Sequence, residues 1–445
     1  MRLRFALLPF LMACVSDEAV DPSDASVSEA EVSGSVLEAA CATTDNPLRF
    51  DCTLATESDA AVTWTVFEGS DIVRSFETQG SDHAQTLWGL PEDTELSWEA
   101  RYDGGSASGT LTTGTADVGA FSISTFGVGL ATDAVMVPLQ CDDATGLVAF
   151  DGAGRVVWYE VLGGGSVGGK GGLQGFDTTP DGFVAGVDGT EVVEVAPDGT
   201  ILRTIDGLSD PLHHDVAADE EGRLYLLEAF ESDGFVVDGI LVFDGTEQVG
   251  QFALSDVVTM AGGAGDDRYW QDTFPGAVDW GHANSVELVG DGTALISLKA
   301  QNAVLSVVLD PDAADFGEVV WTLTGGDSQL TSDLSWSDGG GFSDQHHASV
   351  DDDGNVLLFD NGVSSSRGLV LDVGGDSVSE VASVDVGEHC PTQGSTYRLD
   401  DGGLLVTCAS SGAVLAFDAA GTEVWSASVG CGTQAPLARA MPLAW

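Results

Sequence analysis

Residues 403–427 read GLLVTCASSGAVLAFDAAGTEVWSA, and this stretch decides the fold. Three apolar runs of about five residues are separated by Ser-Ser-Gly and by Asp-Ala-Ala-Gly, which favour turns. Runs of this length between turn residues predict three consecutive antiparallel strands. Helical periodicity is almost absent from this stretch.

Similar units recur from about residue 120 to the C-terminal end. They include GLVAFDGAGRVVWYEV (146–161), GFVAGVDGTEVVEVAPDGTILRTI (182–205) and NVLLFDNG (355–362). Six such units predict a six-bladed β-propeller over residues 120–445, with about four strands in each blade. The alternative is a β-sandwich with a smaller barrel, an arrangement that needs no repeat.

The region before the repeats has a different pattern. Residues 40–116 contain short alternating runs at sandwich-like intervals, and they resemble a fibronectin type III or immunoglobulin-like β-sandwich. Trp64 and Trp98 are the candidate core residues. We expect an all-β protein in which this small sandwich serves as a spacer or docking module for the propeller.

The N-terminal segment has the composition of an export signal. Arg2 and Arg4 precede an apolar run that is too short to span a bilayer and that ends in Leu-Met-Ala-Cys14. This ending resembles the lipobox of bacterial lipoproteins, which implies lipidation of Cys14 and removal of residues 1–13. An ordinary secretory signal is the alternative.

Residues 14–39 are rich in Ser, Ala, Asp and Glu, and we interpret them as an acidic tether. Val15, rather than Asp, follows the cysteine, and by analogy with enteric bacteria this favours attachment to the outer membrane. The expected location is therefore the periplasmic face or the cell surface, with the membrane contacted only through the lipid.

The charge of the chain excludes two classes of partner. Its 445 residues include 72 acidic and only 14 basic ones, which gives a net charge of −58. Nucleic acid and anionic membrane surfaces are poor partners for such a chain. A hydrophobic content of 43% excludes a disordered protein.

Six cysteines remain besides Cys14, an even number that fits three disulfides in an exported protein. We pair Cys41 with Cys52, Cys390 with Cys408, and Cys141 with Cys431; the last four cysteines alone allow three pairings. No Cys-x-x-Cys motif is present, so we predict no metal site. We also expect no cofactor.

Three histidine clusters each open a strand-like run: His213-His214, His282 and His346-His347. His214, His282 and His346 each lie eight residues before a glycine, which are Gly222, Gly290 and Gly354. The equal spacing predicts equivalent places in blades three, four and five, converging at the channel mouth. Because adjacent strand residues face opposite ways, His213 or His347 is the alternative inward residue. Gln174 and Gln393 occupy nearby places in blades two and six.

The histidine clusters lie in segments that resemble a known family. HHDVAADEEGRLYLL (213–227), DWGHANSVEL (279–288), ISLKAQNAV (296–304) and FSDQHHASVDDDGNVLLFDNG (342–362) are similar to the bacterial arylsulfotransferases that use no adenylyl cofactor. The resemblance implies a periplasmic six-bladed propeller that moves a sulfuryl group from an aryl sulfate to a phenol.

The resemblance also implies roles for individual residues. His346, in the Gln-His motif, would carry the sulfuryl group, and His282 and His214 would contact this group and help the phenol to leave. Asn284 would add a neutral donor. Lys299 stands where the family usually has arginine, and it keeps the charge but loses the bidentate fork. The family's tyrosine behind the Asp-Asn-Gly turn is not evident, and Arg367 is the candidate replacement.

Two other classes of function are open to a propeller. A non-catalytic surface lipoprotein that binds a ligand or protein partner is the main alternative to the transferase. A quinone-dependent dehydrogenase would need eight blades with tryptophan-docking repeats, which this chain lacks. The oligomeric state, the natural donor and the acceptor are not predicted by the sequence.

Overall fold

The computed structural model describes residues 25–141, 144–163, 172–261, 269–431 and 437–445. The N-terminal module is one sheet of seven strands. The strands are β1 (Ser26–Val27), β2 (Glu31–Gly34), β3 (Val36–Thr43), β4 (Phe50–Glu68), β5 (Asp71–Leu87), β6 (Glu95–Tyr102) and β7 (Gly105–Thr112).

The module sheet nearly closes on itself around its core. β4 pairs with β3 through its first half and with β6 through its second half, and the break in register lies between Ala55 and Ala60. β6 pairs with β7, and β7 pairs with β2, which leads directly into β3. Trp64 and Trp98 are buried in the enclosed core, as predicted, with their rings 6.0 Å apart.

The predicted boundary between tether and module is wrong. Residues 26–39 contain β1, β2 and the start of β3, so the module begins well before residue 40. All four residues of β2 are exposed. Such a strand is polar on both faces and lacks the alternation by which a half-buried strand is identified in a sequence.

Residues 121–445 form six sheets of four or five strands. The strands from residue 121 to residue 279 are β8 (Phe121–Gly127), β9 (Ala134–Gln140), β10 (Thr145–Phe150), β11 (Val156–Gly163), β12 (Phe176–Thr179), β13 (Gly182–Val187), β14 (Glu191–Val195), β15 (Ile201–Ile205), β16 (Leu212–Ala218), β17 (Leu224–Ser232), β18 (Phe235–Asp244), β19 (Glu247–Ala253) and β20 (Val278–Asp279), with the short helix α1 (Leu254–Val257). β8 belongs to the last sheet, and β20 joins β18 in parallel.

The remaining strands complete the last three sheets and, through β34, the first one. They are β21 (Ala283–Leu288), β22 (Thr293–Leu298), β23 (Ala303–Val308), β24 (Val319–Thr324), β25 (Ser335–Trp336), β26 (His346–Val350), β27 (Val356–Asp360), β28 (Arg367–Gly374), β29 (Ser377–Asp385), β30 (Ser395–Arg398), β31 (Leu404–Cys408), β32 (Ala413–Phe417), β33 (Glu423–Cys431) and β34 (Met441–Leu443). The 3₁₀ helix Lys299–Gln301 follows β22.

The innermost strands of neighbouring sheets contact one another in sequence order, from β12 through β16, β21 and β26 to β30. This arrangement confirms the predicted six-bladed propeller. Both ends of the repeat region close the ring, because β8 is the outermost strand of blade six and β34 is the innermost strand of blade one.

Three disulfides join the predicted pairs of cysteines, Cys41–Cys52, Cys141–Cys431 and Cys390–Cys408. The second of these links the end of blade six to blade one. No helix within the described residues is long and apolar enough to cross a membrane. Cys14 and its signal segment lie outside the described residues, so their assignment stays a prediction.

The module is fixed to blade one by polar and aromatic contacts. Arg155 binds Glu68 at 2.7 Å, and Arg49 binds Glu160 at 2.8 Å. Arg74 stacks over the ring of Trp445, beyond the last strand of the propeller, with its guanidinium carbon 5.2 Å from the ring centroid. The module therefore lies beside the propeller wall, and these contacts do not involve the histidines of the propeller.

Candidate active site

The histidine clusters lie around a cleft at one end of the central channel. The cleft has a volume of about 20 Å³, and its lining residues are His214, Asn284, His346, His347, Gln393, Gly394, Ala438 and Arg439. The His214 and His282 ring centroids are 5.0 Å apart. The structure thus brings together the predicted histidines from three separate blades.

The predicted equivalence of the three histidines is wrong for blade four. The innermost strands of blades three, four and five end at the pairs Ala218–Leu224, Leu288–Ala294 and Val350–Val356. Four residues before these ends lie His214, Asn284 and His346. His282 lies two residues upstream of that place. The spacing of eight residues from His282 to Gly290 was misleading. Gly292, with φ +85°, occupies the turn position that Gly222 and Gly354 hold in the other two blades.

Four non-glycine residues at this end of the channel have left-handed backbone conformations. They are His214, His282, His347 and Gln393, with φ values of 59°, 51°, 53° and 55°. Such conformations are uncommon for side chains of this size and persist only where the surroundings enforce them. Their concentration at one end of the propeller marks this end as a candidate functional site.

His346 begins β26, and hydrogen bonds hold both of its ring nitrogens. Nδ1 lies 2.8 Å from Asn361 Oδ1 and 3.1 Å from the Asp344 carbonyl oxygen. Both atoms accept, so we assign the ring proton to Nδ1 and a lone pair to Nε2. The Gln393 backbone N–H donates to this Nε2 at 3.3 Å. Burial lowers the pKa of His346 to about 3, so the ring is neutral near pH 7.

Asn361 is itself held in one orientation. Its Nδ2 donates to the Cys390 carbonyl at 2.6 Å and to the Gln393 carbonyl at 2.9 Å. Because both amide protons are used on carbonyls, the amide oxygen faces His346. The Cys390–Cys408 disulfide anchors the segment that supplies these carbonyls.

The rings of His213 and His214 form a hydrogen bond with each other, and His213 has a second partner. Their Nδ1 atoms are 2.9 Å apart, and His213 Nε2 is 3.1 Å from the Glu228 carbonyl oxygen. The carbonyl requires the proton on His213 Nε2, so His214 Nδ1 donates to His213 Nδ1. Burial, with His282 nearby, holds the pKa of His214 well below its usual range. His214 is therefore neutral, with a lone pair on Nε2.

His282 is paired with a buried carboxylate. Its Nδ1 lies 2.6 Å from Asp279 Oδ2, and the Asp279 residue is 0% exposed. Burial and the neighbouring charge of Asp279 raise the pKa of Asp238 well above its usual range, which places the negative charge on Asp279. A carboxylate at this distance orients the imidazole and stabilises its protonated form.

Lys299 lies beside these histidines. Its backbone N–H donates to the His282 carbonyl at 3.2 Å. The charge of its ammonium group contributes to lowering the pKa of both His214 and His346. The Lys299 charge therefore acts on both rings, although Lys299 is not among the residues that line the cleft.

Asn284 bridges blades four and five. Its Nδ2 donates to the Gln345 carbonyl at 2.8 Å, and its Oδ1 accepts the His347 backbone N–H at 3.3 Å. The second Nδ2 proton is not used in either bond. Asn284 thus lines the cleft, as predicted, and also fixes the position of the two histidines in blade five.

The prediction that Arg367 binds substrate is wrong. Its guanidinium binds Asp360 at 3.0 Å, Glu380 at 2.8 Å and the Gly341 carbonyl at 2.9 Å. It lies on β28, the third strand of blade five, and it does not line the cleft. Two carboxylates neutralise a charge that the sequence alone leaves unpaired.

Several residues of the site were missed in the sequence. They are Asn361, Asp279, Arg439, Tyr397 and Tyr269. Asp279 and Asn361 lie within the quoted family segments, where their closeness to the histidines was a usable signal. Arg439 comes from the C-terminal segment, and only the closure of the ring brings it to the cleft.

The site offers no obvious place for a metal. Within the described ranges, one group of three potential ligands lies close enough together, Glu388 with Cys390 and Cys408. The two cysteines form a disulfide, so their sulfur atoms are not available as thiolate ligands.

Comparisons with known proteins point to one family. Residues 255–430 match the family model described as Arylsulfotransferase (ASST), which confirms the resemblance over that stretch. The matched stretch includes His282, Lys299 and His346, whereas His214 precedes it. The match supports aryl sulfotransferase activity at the level of the family. No curated protein matches the chain.

Solved structures give weaker likenesses. A protein of unknown function from Bacteroides caccae has 12% identity and a TM-score of 0.47, covering 70% of this chain and 99% of its own. Virginiamycin B lyase from Staphylococcus aureus has 7% identity and a TM-score of 0.38, covering 68% and 88%. BamB from Moraxella catarrhalis has 12% identity and a TM-score of 0.33, covering 72% and 92%. The strand pairing, rather than these likenesses, defines the six blades.

Proposed function

We propose, from the arylsulfotransferase match and the geometry of the cleft, that this protein moves a sulfuryl group from an aryl sulfate to a phenol through a sulfohistidine on His346. The observation that carries the proposal is the state of the His346 ring. Asn361 holds the proton on Nδ1, and burial keeps the ring neutral. Nε2 therefore has the lone pair that a nucleophile needs, and it gives up the hydrogen bond from the Gln393 backbone N–H when it attacks.

In the first half-reaction, Nε2 of His346 attacks the sulfur of the aryl sulfate. An N–S bond forms, the bridging S–O bond breaks, and the phenoxide leaves with the bonding electron pair. His282 in its imidazolium form, stabilised by Asp279, gives the phenoxide a proton. Lys299 neutralises charge on the sulfuryl oxygens as the loose transition state forms.

In the second half-reaction, the acceptor phenol occupies the place that the first phenol leaves. Its oxygen attacks sulfur, its proton passes to His282, and the N–S electron pair returns to His346. Before the attack, the Nε2 lone pair of His214 accepts a hydrogen bond from the acceptor hydroxyl and orients it; this hydrogen bond breaks as the proton turns to His282. No adenylyl cofactor takes part in the scheme.

The test is incubation of purified protein with 4-nitrophenyl sulfate, with and without added phenol. Without acceptor, we expect a burst of about one equivalent of 4-nitrophenol and a sulfuryl group retained on the protein. Peptide mass spectrometry under non-acidic conditions should place this group on His346. With acceptor, turnover should continue. Absence of burst and turnover with several aryl sulfates would favour the non-catalytic surface protein instead.

We also propose export and lipid anchoring through Cys14. The Leu-Met-Ala-Cys sequence and the three disulfides support this, because disulfides persist in oxidising compartments. A Cys14→Ser variant should be released from membranes, and mass spectrometry of the wild type should show a chain without residues 1–13. Retention of Met1 would contradict the proposal.

A further inference from the structure

Two buried N–H-bearing nitrogens of the cleft have no hydrogen-bond partner among the residues that the structure describes. They are Nδ1 of His347 and Nε of Arg439. Both side chains line the same cleft as His346. The two residues are 4% and 8% exposed, so bulk water does not readily take the place of a partner. Buried polar groups of this kind usually have a partner, and an unsatisfied pair in one cleft calls for a ligand.

The contact of His347 with Tyr397 sets which nitrogen carries the proton. The Tyr397 hydroxyl lies 2.9 Å from His347 Nε2. Among the described residues, the Tyr397 hydroxyl has no other hydrogen-bond partner, so we assign its proton to the bond with Nε2. Burial also lowers the pKa of His347 well below its usual range, so the ring is neutral. We therefore assign the single ring proton to Nδ1, which makes this atom a donor.

Two of the three guanidinium nitrogens of Arg439 are bound to protein groups, and the third, Nε, remains as a donor. Its Nη1 binds Asp215 at 2.7 Å, and its Nη2 donates to the Phe176 carbonyl. The guanidinium carbon lies 4.9 Å from the centroid of the Phe176 ring. These contacts hold the guanidinium in place and leave Nε–H unused. Arginine keeps its proton at all ordinary pH values, so this atom is also a permanent donor.

We propose that His347 Nδ1 and Arg439 Nε form an oxyanion subsite that binds sulfuryl oxygens, an inference that rests on the proposed transferase function. Sulfuryl oxygens only accept hydrogen bonds, which matches a subsite that presents only donors. The charge of Arg439 is largely balanced by Asp215, so the subsite selects its ligand by hydrogen-bond geometry rather than by net charge.

Inorganic sulfate is the probe, because its binding does not depend on turnover. Two variants at one position form a matched pair, since a Gln amide nitrogen reaches about as far as Nε2 and an Asn amide about as far as Nδ1. By isothermal titration calorimetry, His347→Gln should weaken sulfate binding roughly tenfold, the loss of one hydrogen bond to a charged group. His347→Asn should stay within about threefold of the wild type.

A second variant tests the same assignment without replacing the histidine. Tyr397→Phe removes the hydroxyl that fixes the His347 proton, so sulfate binding should weaken by about two- to fivefold. Arg439→Lys keeps a cation but removes Nε–H, and it should also weaken binding. Far-UV circular dichroism and thermal unfolding identify variants that do not fold. If His347→Gln fails to fold, Tyr397→Phe decides the question.

The outcomes separate this inference from the proposed function. Sulfate binding that is equal in the wild type, His347→Gln and Tyr397→Phe would overturn the subsite, as would equal loss in His347→Gln and His347→Asn. A wild type that binds no sulfate would also overturn it. If the Gln and Asn variants differ as expected but no aryl sulfate is turned over, the subsite stands and the transferase proposal fails. If turnover is normal and the variants do not differ, the subsite alone fails.

Discussion

Blades three and five each open with two adjacent histidines, yet the two pairs have different hydrogen-bond partners. In blade three, His213 and His214 bond to each other through their Nδ1 atoms. In blade five, His346 bonds to Asn361 and His347 bonds to Tyr397. The two pairs look alike in the sequence, but each ring's chemistry is set by the partner on its other nitrogen.

The difference separates two roles. The blade-five rings are each held by a side chain from elsewhere, so His346 presents a lone pair and His347 presents a donor. In the blade-three pair, His213 is used to fix His214, and one lone pair remains for the cleft. Blade five therefore has the components of a nucleophile with an oxyanion contact, whereas blade three has those of one orienting acceptor.

Substitution of His346 should have the largest effect, and it is the strongest test of the difference between the two histidine pairs. His346→Ala should lower sulfuryl transfer by roughly 10⁴-fold or more, since both half-reactions pass through its Nε2. Stopped-flow detection of 4-nitrophenol should show that the burst is lost. His389→Ala is the control, because His389 is exposed and its ring bonds only the Gly362 carbonyl in the described structure. Transfer by His346→Ala at a rate near that of the wild type would end the covalent scheme.

Substitution of Lys299 tests whether its positive charge takes part in the reaction that we assign to the two histidine pairs. Lys299→Ala should lower kcat/KM by roughly 10²- to 10³-fold, because the sulfuryl oxygens lose a charged contact in the transition state. Lys299→Arg should retain or raise the rate, since a planar fork suits an oxyanion. Steady-state assays with 4-nitrophenyl sulfate measure both. A small, equal effect of the two changes would place Lys299 outside the reaction.

Asn361 tests whether the partner sets the role of His346. Asn361→Leu removes the acceptor for Nδ1–H and should lower the burst rate by roughly 10²-fold, because the reactive tautomer is no longer fixed. Asn355→Ala is the control, since the Asn355 amide bonds Asp351 in a turn of the same blade. Unchanged burst rates in Asn361→Leu would mean that the tautomer does not limit transfer.

Much of the fold could be predicted from turn-separated apolar runs and from the positions of the cysteines. The apolar runs and two of the cysteine pairs are local in the sequence. The third cysteine pair lies at the two ends of the repeat region, which must contact each other when the ring closes. The strands at 26–39 could not be predicted, because β2 is exposed on both faces. The pairing that makes it a strand is with β7, which is far away in the sequence.

The site could be predicted only where the sequence carries a motif. His214, His282 and His346 were found, but the register of His282 was not, since its turn contains two glycines, Gly290 and Gly292. Arg367 shows the opposite error: a cation in a family-like segment is neutralised by carboxylates on neighbouring strands. Partners of this kind are set by strand pairing, which spacing alone does not reveal.

Substitution of His213 in the blade-three pair should have a smaller effect on the rate of transfer. His213→Gln keeps a donor for the Glu228 carbonyl but loses the acceptor for His214, so the proton on His214 is no longer fixed. We expect the second half-reaction to slow roughly tenfold, the loss of about one hydrogen bond. His213→Asn keeps an acceptor near Nδ1 and should change the rate less than about threefold. Acceptor-dependent single-turnover rates distinguish the two variants, and identical rates would refute the assigned tautomer.

The smallest expected effect concerns a property that both pairs share. Burial lowers the pKa of His346 to about 3 and holds that of His214 well below its usual range. Both rings therefore stay neutral as pH falls from 7 to 5, and the burst rate should fall by less than about twofold. An ordinary histidine, with a pKa of about 6.5, would lose roughly thirtyfold of its neutral form at pH 5. Stability behaves differently, because the unfolded chain takes up protons near pH 6.5 whereas the folded rings do not. The free energy of unfolding should thus decline as pH falls from about 6.5 toward 3, and less steeply in His346→Asn. A burst rate that follows a pKa near 6.5 would show that the nucleophile is not a buried, neutral ring.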